Sequence, residues 1–119
     1  MLTVFILDDE EERHLSLARR YPGATVTHAY KAAEAKALLA QGPYDLMFLD
    51  HNLGDWSLID GEFKEQTGLD IVRYLIDNIP REKWPGSVTV HSLNGSHGPT
   101  MVSMLQKAGI TAAYVPFRG

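Results

Sequence analysis

The sequence predicts an α/β fold, a parallel sheet of five strands with helices packed on it. Three observations carry the prediction. Short all-apolar runs alternate with stretches of helical periodicity along the whole chain. The runs are apolar at nearly every position, as strands buried on both faces must be. At 119 residues the chain has the length of one domain, 1–119, able to bury a core of its own.

The elements follow in order. Leu2–Leu7 is rich in β-formers and stops at Asp8-Asp9, so it reads as the first strand. From about Glu10 to Tyr21 the apolar residues Leu15, Leu17, Ala18 and Tyr21 have helical spacing, and Pro22-Gly23 ends the helix. Ala24–His28 is the second strand. Lys31–Gln41 is a helix rich in Ala and Leu, closed by Gly42-Pro43. Leu46–Leu49 is the third strand, and it too stops at an acid, Asp50. Leu69, Val72, Ile76 and Ile79 lie on one face of a helix over Gly68–Asn78, which Pro80 ends. Ser87–Val90 is the fourth strand. Met101, Met104, Leu105 and Ala108 mark a helix capped by Gly109, and Ile110–Val115 is the fifth strand, stopped by Pro116. One stretch breaks the alternation. Gly54–Thr67 is an inserted loop of about 14 residues, longer than a usual connection and of a length that often carries function. As a structural excursion it would be a hairpin or a turn of helix whose Trp56, Leu58, Ile59 and Phe63 pack onto the body.

Composition narrows the function. A hydrophobic fraction of 45% with 22% charged residues excludes a disordered tail, a collagen-like chain and a coiled coil. The net charge of −4 argues against an extended nucleic-acid surface. With no cysteine, disulfides, zinc fingers, thiol nucleophiles and iron–sulfur sites are excluded. No apolar run approaches the roughly 18 residues of a membrane span. Met1–Leu7 has neither the basic flank nor the cleavage site of a signal peptide. The expectation is a soluble cytoplasmic protein that makes no use of a membrane.

In open parallel sheets ligands bind beyond the carboxyl ends of the strands. Here those ends are polar: Asp8-Asp9 after the first strand, Asp50-His51-Asn52 after the third, and His91-Ser92-Leu93-Asn94 after the fourth. If these strands are neighbours, three carboxylates, two histidines, two asparagines and a serine share one cleft. Clustered carboxylates repel and call for a cation. Asp8, Asp9 and Asp50 suit Mg²⁺, and nearby imidazoles widen the choice to Mn²⁺ or Fe²⁺. His51 and His91 are placed to act as acid and base near neutral pH. Each residue also has a plainer role available. Asp8 and Asp9 are positioned to cap the next helix, and Glu10–Glu12 to complement its dipole. His14 and His28 read as surface or packing residues, and His97 has no strand-end position to support it. Asn94–Pro99 is a turn rich in Gly and Ser that opens a helix, where backbone amides can hold a phosphate oxygen.

These residues resemble a response-regulator receiver domain over nearly the whole chain. Asp8-Asp9 look like the receiver's Mg²⁺-binding acidic pair. Asp50 stands at the phospho-accepting position, Gly68-Leu69-Asp70 at the start of the third helix, Ser92 near the Ser/Thr position and Val115-Pro116-Phe117 at the Lys-Pro-Phe position. Three departures stand out. Val115 replaces the lysine that contacts the phosphoryl group, with Arg118 three residues on as the nearest alternative. The insertion lies beside the phosphorylation site, and His51 directly follows the key aspartate. The chain is more similar to cyclic-phosphate processing receiver domains. It shares Leu7-Asp8-Asp9, Leu49-Asp50-His51-Asn52-Leu53-Gly54, Thr67-Gly68, and His91-Ser92-Leu93-Asn94 with Gly98 and Met101. The second block has Asn52 where an acid is usual, and Arg13 fits an arginine that follows the acidic pair.

The resemblance implies a doubly wound, flavodoxin-like sheet of order 2-1-3-4-5, with the receiver's fifth helix absent. It implies a divalent metal, Mg²⁺ or Mn²⁺, on Asp8, Asp9 and Asp50. Asp50, His51 and His91 would be catalytic, and Arg13, Asn52, Ser92, Asn94 and Gly98 would bind the phosphate or substrate. The implied activity is metal-assisted phosphoesterase chemistry on a 2′,3′-cyclic phosphate nucleotide or RNA end. Two other classes stay open: a receiver phosphorylated on Asp50, and a non-enzymatic binding protein. Without the fifth helix, the face of the fourth and fifth strands would be bare, favouring a homodimer or a protein partner there. If the substrate is RNA, recognition is confined to one terminal nucleotide, with Trp56 as the aromatic residue to stack on its base.

Overall fold

Val4–Leu7, Met47–Leu49, Val88 and Val90 are almost wholly shielded from solvent, as strands covered on both faces must be. The computed structural model describes residues 1–93 and 95–117, so the readings of Asn94 and Arg118 lie outside it. Its elements run β1 (Thr3–Leu7), α1 (Glu11–Arg19), β2 (Thr25–Ala29), α2 (Ala32–Leu39), β3 (Leu46–Leu49), β4 (Asn52–Ile59), β5 (Glu62–Thr67), α3 (Gly68–Asn78), β6 (Ser87–Val90), α4 (His97–Ala108) and β7 (Ala112–Tyr114). The main sheet is parallel throughout, in the order β2-β1-β3-β6-β7. This is the predicted 2-1-3-4-5 order once the hairpin strands are counted. The strand order reverses between β1 and β3, so the crevice at their carboxyl ends is the natural ligand site of such a sheet.

Alternate residues of each strand feed two cores. Phe5, Leu7, Met47, Leu49, Val88 and Val90 pack with Ala35, Leu39, Ile71, Leu75, Met101 and Leu105 from α2, α3 and α4. On the other face Val4, Ile6 and Phe48 meet Leu17 of α1, with Phe117 against the edge of the cluster. Within the described residues no helix follows β7. Val115 is half exposed, and a cavity of about 220 Å³ lies between Leu17, Phe48, Thr89 and Phe117. No helix among the described residues is long and apolar enough to cross a membrane.

The insertion is an antiparallel hairpin, β4–β5, closed by the two-residue turn Asp60-Gly61. Both turn residues have positive φ, 51° and 81°, the requirement of the hairpin turn that Asp-Gly favours. The expected packing of its large residues is corrected. Ile59 is partly buried, but Trp56, Leu58 and Phe63 are 62%, 65% and 73% exposed. Strand parity is the reason. Asp55, Ser57 and Ile59 point toward α2, where the Asp55 carboxylate accepts the Ala32 N–H at 2.9 Å. Trp56 and Leu58 therefore face the other way.

Where the hairpin returns, Asn52 pairs with Thr67 and α3 begins. The Asp70 carboxylate accepts bonds from the Thr67 N–H and hydroxyl at 2.8 and 3.2 Å, fixing the first turn. Gly68 then lies against the chain at Asp50, where a Cβ would clash with the Asp50 carbonyl oxygen and with Met101. Gly95, by contrast, faces open space. Gly68→Ala should therefore cost about 1–3 kcal/mol, the range of an overpacked core, and Gly95→Ala close to nothing. Urea unfolding of both variants checks this, and equal midpoints would contradict the packing of α3 on Asp50.

Candidate metal and phosphate site

The pairing of β1 with β3, Leu7 opposite Leu49, brings Asp8 and Asp50 side by side at the sheet's carboxyl edge. The ladder continues past the strand ends. Asp50 N–H donates to the Leu7 carbonyl at 3.0 Å, and His91 N–H to the Leu49 carbonyl at 3.0 Å. The site residues are therefore held by backbone bonds. One ligand oxygen from each of Asp8, Asp9 and Asp50 lies within 4.8 Å of the others. Beside them is a cleft of about 210 Å³ lined by Asp9, Glu10, Arg13, Asp50, Asn52 and Leu93.

Asp8 is fully buried, and a buried carboxylate must be satisfied by donors. It has three: Glu10 N–H at 2.8 Å, Arg13 Nε at 2.7 Å and His91 Nε2 at 2.6 Å. Burial, the largest single influence, would raise its pKa, but the bonds from His91, Arg13 and the Glu10 N–H, together with the electrostatic pull of His91, outweigh it and hold Asp8 below the ordinary carboxylate value. Asp50 is raised, by burial and then by the charge on Asp8, against the opposing pull of His91 and Arg13. Asp9 is raised by burial and by the charges of Asp8 and Asp50. Arg13 Nη2 lies 3.6 Å from Asp9 and 3.5 Å from Asp50, so one guanidinium faces all three acids.

The histidines sit at different depths. His91, 3% exposed, is tied to Asp8 and lies on the α1 side of the sheet between Phe48 and Phe117. Its Nδ1 has no hydrogen-bond partner among the described residues. The buried His51 donates from Nδ1 to Asn52 Oδ1 at 2.7 Å, and its backbone N–H donates to Asp50 Oδ1 at 2.8 Å. Its ring lies flat on His97, with centroids 4.3 Å apart and planes 3° from parallel. His97, exposed at the first position of α4, was missed in the sequence. Its signal was its place in the turn after the His91-Ser92 block. Of the remaining expected residues, Ser92 is buried and Asn52 exposed. Gly98 is buried against the Tyr114 ring, where its missing side chain gives the ring room. His14 is a packing residue that also braces the site. Fully buried, it donates from Nε2 to the Asp8 carbonyl at 2.8 Å and meets His28 through Nδ1 at 2.7 Å.

The carboxylate oxygens form a hard donor set that fits a divalent cation, and the mutual repulsion raising Asp9 and Asp50 is what such a cation relieves. The family model of the cyclic-phosphate processing receiver domain matches residues 3–107. The chain belongs to this family. Solved receiver structures share the fold of this cyclic-phosphate processing receiver domain. A response regulator from Burkholderia pseudomallei, described with a phosphorylated aspartic acid, calcium ion and citrate, is 21% identical with a TM-score of 0.69. The alignment covers 100% of this chain and 61% of that one. A CheY-like receiver domain from Methanospirillum hungatei JF-1 is 16% identical with a TM-score of 0.69, over 100% and 83% of the two chains. Vibrio cholerae CheY4 is 17% identical with a TM-score of 0.65, over 100% and 88%. No curated protein matches the chain.

Two outcomes follow for the metal-free domain. Because the fold disfavours ionised Asp50, wild type gains stability as pH falls through the raised pKa of Asp50. Asp8 acts in the opposite sense, and its contribution is lost as pH falls through its depressed pKa. Asp50→Asn should therefore melt above wild type at neutral pH in chelator and lack the first of these gains. A lower melting temperature would contradict the like-charge account. Arg13→Ala removes a bond to a buried charge and should cost about 1.5–3 kcal/mol in urea unfolding. Millimolar Mg²⁺ should restore part of that loss, and a variant as stable as wild type would show that Arg13 is not the counter-charge.

Proposed function

We propose that this domain hydrolyses 2′,3′-cyclic phosphate ends of nucleotides or RNA with the help of a divalent metal, Mg²⁺ or Mn²⁺. The observation that carries the reading is the pairing of a carboxylate cluster with an imidazole on the very next residue. Asp50 and His51 are joined through the His51 N–H, and His51 stacks on His97. Phosphotransfer to an aspartate has no use for a proton shuttle, whereas hydrolysis of a cyclic ester needs one. Val115, an apolar side chain, also stands at the receiver's phosphoryl-contacting position and cannot pair with its charge.

Asp8, Asp9 and Asp50 would hold the cation, which when bound polarises a phosphoryl oxygen. His91 fixes one oxygen of Asp8 and acts through it, as a positioning residue. Arg13 faces the cleft and is the cation available to a phosphate oxygen, with Asn52 on the same cleft. In the reaction a water oxygen bonds to phosphorus and the bond to the 2′ or the 3′ oxygen breaks. The water's proton passes to His51, and the leaving oxygen takes up a proton, giving a phosphate monoester and a free hydroxyl.

Turnover of a 2′,3′-cyclic nucleotide, followed by product chromatography in Mg²⁺, Mn²⁺ or chelator, tests the reading. Turnover should need the metal and vanish in Asp50→Asn. His51→Ala should lose about 10²–10⁴-fold, and His91→Ala about 10–100-fold through weaker metal binding. No turnover with any metal, together with hydroxylamine-sensitive phosphate on Asp50 after exposure to a small phosphodonor, would replace the proposal with the phospho-receiver reading.

A further inference from the structure

The hairpin β4–β5 presents three large hydrophobic side chains on one face, Trp56, Leu58 and Phe63, each more than half exposed. Leu58 pairs directly with Phe63, and Trp56 lies two residues along the same strand face, opposite Glu65. Single exposed hydrophobics are ordinary, but a contiguous set on a protruding element calls for an occupant. The other face of the hairpin is already committed to α2 through Asp55, Ser57 and Ile59. The exposed face is therefore held in place by structure behind it.

The foot of the hairpin is part of the site. The bulge between Asn52 and Asp55 contains Gly54, whose φ is +58°. A Cβ at Gly54 would sit 3.5 Å from an Asp9 carboxylate oxygen. Trp56 follows two residues later, about 7 Å along a strand, a distance comparable to that from phosphate to base within one nucleotide. The charge on the hairpin limits what can bind. Asp60, Glu62 and Glu65 outnumber Lys64, so an extended phosphate backbone is repelled. A ring that brings only the phosphate held at the metal site is not.

Resting on the function proposed above, we infer that this face is the recognition platform for the base of the reacting terminal nucleotide, with Trp56 as the ring that stacks on it. Stacking on an aromatic side chain tolerates every base, because each has a π-face. The platform therefore selects for the presence of a base rather than for its identity.

Calorimetric titration of the full chain in Mg²⁺ tests this with two probes: a nucleoside 3′-phosphate and the corresponding abasic sugar phosphate. Wild type should bind the nucleotide about ten- to a hundredfold more tightly than the abasic compound. Trp56→Ala should bring the nucleotide down to the abasic level and leave abasic binding unchanged, whereas Trp56→Phe should keep most of the difference. Trp56 is exposed, so the alanine variant should fold, with circular dichroism as the check. Raising salt from about 50 to 200 mM should weaken nucleotide binding only a few-fold, against the roughly 10³-fold or greater loss of a protein gripping many phosphates. Equal affinity for the two probes, or nucleotide binding untouched by Trp56→Ala, would overturn the platform and leave the phosphate site standing. If neither probe binds wild type, the proposed function itself fails and this inference falls with it.

Discussion

Three carboxylates that share a few ångströms repel one another, and the carboxyl end of this sheet is built around holding them together. α1 does most of this. Two consecutive residues of that helix grip Asp8 from different sides. Arg13 bonds its carboxylate, and His14 bonds its backbone carbonyl. The helix is in turn pinned by Leu17 in the core beneath it. The counter-charge is thus fixed by the same packing that covers the α1 face of the sheet. Arg13 also lies 6.0 Å from the Phe117 ring, which ties the segment after β7 to the acid cluster.

Asp50 is held by a different device. Its side chain takes the His51 N–H, and the His51 carbonyl accepts the Gly68 N–H at 2.9 Å. α3 therefore docks onto the backbone that positions the carboxylate, and only glycine allows the approach. Between His51 and Gly68 the chain leaves as a hairpin and returns to almost the same point, Asn52 opposite Thr67. This explains how an insertion stands next to the most constrained residue in the site without disturbing it. The two ends of the hairpin meet where the Gly68 N–H bonds the His51 carbonyl and Asn52 pairs with Thr67.

What the sequence disclosed was local. Apolar runs, helical spacing, Pro and Gly stops and the acids after Leu7 and Leu49 are short-range signals, and each placed its element or residue where the structure has it. Asp60-Gly61 was an equally local hairpin signal within the insertion. Side-chain depth was not readable in the same way. Nothing in the order of residues says that Trp56, Leu58 and Phe63 face solvent, because that depends on which strand face meets α2. His91 and His51 look alike in sequence, yet one is locked beneath Asp8 and the other lies against α4. His97 belongs with His51 only because the turn after β6 brings the start of α4 across the end of β3.

The electrostatics of the cluster follow from this arrangement. Asp8 is supplied with three donors and keeps its charge readily, while Asp9 and Asp50 carry theirs at a cost. One guanidinium cannot balance three carboxylates. The uncompensated charge falls partly on Asp9, the acid with access to solvent, at the edge of the cleft. A divalent cation bound there adds the charge that Arg13 lacks, and by linkage any cation that binds only the folded domain must also stabilise it. Metal binding and fold stability at this site are consequently linked, and the like-charge repulsion that raises Asp9 and Asp50 is what a bound cation would relieve.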